Sequence, residues 1–252
     1  MASPRSAHAA PDALGSWSIE SSPTSRFVAV HGRRAGVFGY SDQGLEVWAY
    51  PIQVVDNYNV SFRAQNGTTL IEGRSLLRRI EYSAEAVTRV FVGPDFVVRE
   101  KLFVPVDQAS AVLVYEVAGA PAVDVVIRFN PVLNLMWPAG IGGQEAVWNA
   151  DASGYLLSEP LQRYSALITS PDIIAHDETP NAARRLSDSP GLGFTIRAKS
   201  DSAARVAIAG SAGSATMANA SEPTAPSSGT KSGTIATDGN LVALAKGLLN
   251  EH

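Results

Sequence analysis

The sequence predicts an all-β protein, a large antiparallel two-sheet sandwich, and three observations carry that reading. Short β-branched and aromatic runs with apolar–polar alternation fill the chain from Trp17 to about Gly210. Turn chemistry interrupts them about every 8–12 residues, the spacing of a sandwich or barrel. One run puts Val123, Val125, Ile127 and Phe129 on a fully apolar face, opposite Asp124, Val126 and Arg128, and such a face must be covered by a second layer.

The elements follow in order. "SRFVAVHG" (Ser25–Gly32) is the first clear strand, and "LEVWAY" and "IQVVDNYNVSFR" come next, separated by Pro51. "QNGTTLIEG" contains Asn66-Gly67, a strong hairpin signal. "SLLRRIEYS" precedes "AVTRVFVGPDFVVREKLFVP", where Gly93-Pro94-Asp95 supplies the turn. In the second half of that stretch Val97, Arg99, Lys101 and Phe103 share one face, and Val98, Glu100, Leu102 and Val104 the other, with one charge among three apolar residues. "SAVLVYEVAG" and "PAVDVVIRFNP" follow. No stretch before residue 239 shows a convincing period of 3.6 and no internal repeat is visible.

Composition changes after about Gly210. Residues 211–238 are rich in Ser, Ala, Thr and Gly, cannot bury enough apolar surface to offset ordering entropy, and read as a linker or disordered tail. In residues 239–252, Leu241, Leu244, Leu248 and Leu249 have helical spacing, so a short C-terminal helix is expected, weakened by Gly247. Residues 1–15 read as a disordered N-terminus or the remnant of a signal peptide, since "AHAA" suits a cleavage site but no apolar core precedes it. The sandwich is thus expected over 16–210.

Several function classes are set aside by composition. The 252 residues include no cysteine, which removes disulfides, thiol catalysis and cysteine-type zinc sites. A net charge of -4 gives no basic footprint for nucleic acid, and no run approaches the ~18 apolar residues a membrane helix needs. Neither feature assigns a compartment. No cofactor fingerprint occurs: "GIGG" (Gly140–Gly143) leads into no helix, and "HDET" (His176–Thr179) lacks the spacing of a metal site. No catalytic set stands out, although Glu46, Asp56, Glu72, Glu81 and Glu145 are available as acids.

The aromatic residues are more informative. Glu46, Trp48 and Tyr50 alternate onto one strand face, as filler between sheets or as a platform for a planar ligand such as a sugar ring. Trp137 and Trp148 flank the loop "WPAGIGGQEAVW", where Gln144, Glu145 and Asn149 could bond sugar hydroxyls. The candidate carbohydrate-binding residues are therefore Trp48, Tyr50, Trp137, Gln144, Glu145 and Trp148, with the loop pair favoured. In "HGRRAGVFG" (His31–Gly39), Arg33 or Arg34 could fork onto a distant carboxylate.

The order of "GRRAGVFGYSDQGLEVWAYPIQVVDNYNVSFR", "REKLFVPVDQASAVLVYEV", "RFNPVLNLMWPAGIGG" and "SPDIIAHDETPN" resembles the N-terminal region of bacterial glycogen-debranching-type proteins, relatives of amylo-alpha-1,6-glucosidase among the six-hairpin glycosidases. The resemblance runs from about Ser16 to Ala209. It implies a galactose-mutarotase-like super-sandwich followed by an (α/α)6 barrel that carries the catalytic carboxylates. Nothing within these 252 residues builds such a barrel, so no catalytic residue is carried over. The expected role is a non-catalytic domain that packs against a helical glycosidase domain, in cis or in trans, and contacts an α-glucan or oligosaccharide. Two alternatives stand beside it. One is a mutarotase-like enzyme, in which His31 or His176 meets a carboxylate. The other is an interaction module without sugar affinity, marked by an exposed apolar patch on an outer sheet face.

Overall fold

A computed structural model of the chain describes residues 17–20, 25–65, 67–136, 144–178, 191–212 and 236–251. In chain order the elements are β1 (Trp17–Glu20), β2 (Phe27–His31), β3 (Ala35–Tyr40), β4 (Leu45–Ala49), β5 (Ile52–Ala64), β6 (Ile71–Glu72), the single helical turn α1 (Gly73–Leu76), β7 (Leu77–Tyr82), β8 (Ala86–Val92) and β9 (Val97–Phe103). Then come β10 (Ser110–Ala118), β11 (Ala122–Leu135), β12 (Glu145–Asn149), β13 (Gly154–Ser158), β14 (Tyr164–Thr169), β15 (Ile173–His176), β16 (Leu192–Lys199), β17 (Ala204–Ala212) and the helix α2 (Ala236–Glu251).

The strands form two antiparallel sheets, as expected from the alternation. Among the described residues, the first sheet has nine strands in the order β1-β7-β8-β9-β10-β17-β14-β13-β12. The second has eight, β15-β16-β11-β5-β4-β3-β2 with β6 beside β5. Gly93-Pro94-Asp95 makes the β8–β9 turn, with Val92 opposite Val97 and the Gly93 N–H donating to the Phe96 carbonyl at 2.8 Å. Asn66 lies outside the described residues; the segment after it returns to pair β6 with β5.

Inward faces meet in one core. Val123, Val125, Ile127 and Phe129 of β11 are all buried against the facing sheet, as the apolar face demanded. Removing such a side chain from water stabilises by roughly 1.5–3 kcal/mol. Phe62 and Phe91, one from each sheet, touch at 4.9 Å between ring centroids. The charges on the other face of β11 are also satisfied: Asp124 accepts from Arg63 at 3.1 Å and from Arg197 at 2.8 Å.

A polar chain crosses the core. Glu100 points inward with Val98 and Leu102 and is fully buried. Arg89 of β8 donates to one carboxylate oxygen, and Tyr115 of β10 donates to the other at 2.9 Å. Tyr115 gives its proton to Glu100, so Tyr58 of the opposite sheet donates to Tyr115. Burial pushes both phenols well above their ordinary range, and the Glu100 charge adds to the push. Burial alone would lower the Arg89 guanidinium, but Glu100 outweighs it and holds it above its ordinary value. An uncompensated charge at this depth would cost several kcal/mol, so the pair is retained as a unit.

Part of the outer face of the nine-stranded sheet is also covered. Val112 and Val114 of β10, Leu167 of β14, and Ala207 and Ala209 of β17 form an apolar strip. Leu241, Ala245 and Leu248 of α2 lie on it, spaced to share one helix face. Small alanines on β17 let the helix approach closely. The chain's own helix thus covers this strip of the sheet. The Ser/Ala/Gly-rich segment preceding α2 lies, from 213 to 235, outside the described residues, as do residues 1–16.

Candidate functional site

On β4, Leu45, Val47 and Ala49 are buried inward, which turns Glu46 and Trp48 to the outer face of the eight-stranded sheet. Trp48 therefore does not fill the space between sheets; it is half-buried on the outside. Its indole Nε1 donates to Glu46 Oε2 at 2.9 Å, fixing the ring beside the carboxylate. Trp48 stands opposite Gly36 on one side and Gln53 on the other, and Glu46 stands opposite Phe38.

Gly36 is the floor of this arrangement. A Cβ there would lie 2.5 Å from two Phe38 ring carbons and 2.7 Å from the Tyr50 hydroxyl, so both rings reach over it. Burial raises the Tyr50 phenol above its ordinary value, leaving a neutral hydroxyl that can both donate and accept. Further along, Phe27 and Tyr40 meet edge to face at 5.5 Å and are 57% and 48% exposed. The result is a row of aromatic rings across β2, β3 and β4, with a carboxylate and an amide at its Trp48 end. Phe38 and Gln53 were missed from sequence because cross-strand partners follow from register, which no local pattern reports.

Trp148 has a different setting. Its indole lies flat on the His176 imidazole, with centroids 3.6 Å apart and planes 9° from parallel, and its edge meets Tyr155 at 5.1 Å. β12 ends one sheet and β15 the other, so this stack joins the two layers at one edge. Tyr155 shares its hydroxyl proton between the carbonyls of Asp177, at 2.7 Å, and Gly193, at 2.9 Å. Gln144 is buried and donates to Leu133 O at 3.4 Å and Asn134 Oδ1 at 3.2 Å. Glu145 accepts from Ser158 at 3.2 Å. Trp137 and the loop through residue 143 lie outside the described residues.

The remaining candidates are also placed. Arg33 pairs with Asp107 at 3.0 Å on the exposed surface, where such a pair is worth about 0–1 kcal/mol. Glu81 lies between Arg99 and Arg79; the Arg99 hydrogen bonds hold its carboxyl below the usual range, with Arg79 contributing less. Asp56 and Glu72 line a polar basin on the same outer face as Trp48. Among the described residues, neither His31 nor His176 lies within ion-pairing distance of a carboxylate, and no three His, Asp or Glu side chains converge to hold a metal ion. No described helix is long and apolar enough to cross a membrane.

No family model and no curated protein matches the chain. Among solved structures, the fold is similar to that of a bacterial glucoamylase complexed with acarbose, with a TM-score of 0.57 over 98% of this chain at 8% identity. This chain spans 37% of that one. A putative aldose 1-epimerase from Escherichia coli K12 aligns with a TM-score of 0.43 over 75% of this chain and 100% of its own, at 7% identity. At 8% identity the likeness to the glucoamylase is one of fold alone, a two-sheet sandwich.

Proposed function

We propose that this sandwich is a non-catalytic domain of a carbohydrate-processing protein, and that it contacts an α-glucan through the outer face of the eight-stranded sheet. The observation that carries the proposal is the row at Trp48: a half-buried indole anchored to Glu46, flanked by Tyr50 and Phe38 over Gly36, with Gln53 beside it. Sugars present apolar C–H faces that lie on aromatic rings, while their hydroxyls donate to neighbouring carboxylates and both donate to and accept from amides and phenols. The glucoamylase-like fold supports the broad class, and the debranching-type order of segments read in the sequence supports α-glucan as the polymer. The partner of such a domain is a helical glycosidase domain, in cis or in trans.

Trp48 and Tyr50 are assigned the stacking role. Gln144, Glu145 and Trp148 remain the second candidate group, with Trp137 outside the described residues; Trp148 and Gln144 already serve packing at the sheet edge. The test is a fluorescence titration with maltooligosaccharides. Intrinsic tryptophan emission should change at millimolar sugar and the change should vanish in Trp48→Ala. No response in the unsubstituted protein would remove the glucan contact and leave a scaffold.

A further inference from the structure

The outer face of the eight-stranded sheet holds a second feature that the aromatic row does not use. An open basin of about 730 Å³ lies at the other end of β4, walled by the 42–44 turn, residues 56–57 and 59–61 of β5, the Glu72–Arg74 ledge and Asn130. We propose that this basin is a saccharide subsite that recognises hydroxyl groups by hydrogen bonding instead of stacking. The choice of ligand class rests on the function proposed above; the existence of the site rests on the following geometry.

The basin is built by a bulge. The β4–β5 register shifts between Leu45 and Val47, and the β5–β11 register shifts between Arg128 and Asn130, so both neighbours of β5 lose step at Asp56–Tyr58. Asn57 takes a left-handed backbone with φ of 52°, a conformation that Asn tolerates better than most residues. Asn59 pins it, its Nδ2 donating to the Asn57 carbonyl at 2.9 Å and to Asn57 Oδ1 at 2.8 Å. Gly44 is required beneath, because a Cβ there would collide with the Asn57 side chain and backbone. Bulges of this kind re-aim side chains and are frequent beside binding sites.

The lining chemistry selects the occupant. Asp42, Asp56 and Glu72 offer carboxylates, and Asn57, Asn59 and Asn130 offer amides that both donate and accept. Asp42 Oδ1 is buried with no hydrogen-bond partner among the described residues. The Arg74 guanidinium is held by Glu72 at 2.6 Å, so the basin as a whole favours neutral hydroxyls and repels anions. Among the described residues, no aromatic ring lines it. Along β4, Gly44 and Trp48 are four residues apart, roughly 13 Å at strand rise. A linear oligosaccharide stacked on Trp48 therefore reaches the basin, passing Glu46.

The experiment is calorimetric titration of the full chain with maltose and with maltoheptaose, comparing it with Glu72→Ala, Asp56→Asn and Trp48→Ala. Glu72 is exposed and its removal spares the core. The subsite predicts tighter binding of the heptasaccharide, a weakening of about tenfold in each basin variant, and unchanged maltose binding. It also predicts that an oligoglucuronide binds more weakly than the neutral heptasaccharide. If the chain binds both sugars through Trp48 but neither basin variant changes the heptasaccharide affinity, the subsite is overturned and the stacking surface stands. If the basin variants lose affinity while Trp48→Ala does not, the subsite stands and the stacking assignment fails. Absence of binding to any sugar overturns both.

Discussion

The imidazole of His176 lies flat on the indole of Trp148, 3.6 Å between centroids, and this contact bridges the last strands of the two sheets. Such a pair contributes about 0.5–1.5 kcal/mol beyond the area it buries. His176→Ala should therefore lower stability by about 1 kcal/mol, seen as a lower urea midpoint, and should make Trp148 more accessible to acrylamide. An unchanged midpoint and unchanged quenching would remove its role in closing the edge.

The buried Glu100 makes a stronger prediction. Glu100→Ala leaves Arg89 charged in the core and removes the acceptor of Tyr115, so it should cost about 3–5 kcal/mol. Replacing both ions, Arg89→Met with Glu100→Leu, should recover much of that loss, because no charge then remains uncompensated. Chemical denaturation of the three proteins checks this; a double variant no better than the single would show that the chain of polar contacts acts through something other than charge compensation.

Alkaline pH should act through the same chain. Burial first, and Glu100 second, raise the Tyr58 and Tyr115 phenols, and burial, followed by Asp177, raises Tyr155. In the unfolded chain tyrosines ionise near pH ~10. Below that pH both states hold these protons and stability is constant on their account. Above it the unfolded state loses protons that the native state keeps, so stability falls as pH rises. Urea midpoints should drop between about pH 9 and pH 11, and a Tyr58→Phe/Tyr115→Phe variant should show a shallower drop. A flat profile across that window would contradict the burial of these phenols.

Gly247 sits in α2 with nothing within 4 Å of where a Cβ would be. Gly247→Ala should strengthen the helix by about 0.8–1 kcal/mol. Leu248→Asp should instead lift α2 from the strip of Val112, Val114 and Leu167, with loss of helical ellipticity and gain of dye binding, while the near-ultraviolet spectrum of the sandwich persists. Retention of helix in the aspartate variant would mean that α2 does not depend on that strip.

What could be read from sequence was what period and turn chemistry encode. The alternation in β9 and β11 showed which faces turn inward, and Gly93-Pro94-Asp95 marked its turn. The leucine spacing near the end marked α2, but not its seat; that signal lay in "SAVLVY", apolar on both faces, which requires cover on both sides. Glu100 was visible as one charge in an apolar row, while its partner Arg89 was visible only once β8 and β9 were in register. The site was less legible for the same reason. Trp48 and Tyr50 could be read as a pair on one face, but which face met the core depended on pairing, and the Asp56–Tyr58 bulge left no mark in composition.

The most direct measurement follows the indole Nε1–H resonances of the isotopically labelled protein during addition of maltoheptaose, with each signal assigned by single Trp→Phe replacement. A glucan contact on the outer face of the eight-stranded sheet predicts that the Trp48 resonance moves, while that of Trp148, stacked on His176, stays in place. A Trp48 resonance unmoved at saturating sugar, or a shift confined to Trp137 and Trp148, would contradict it.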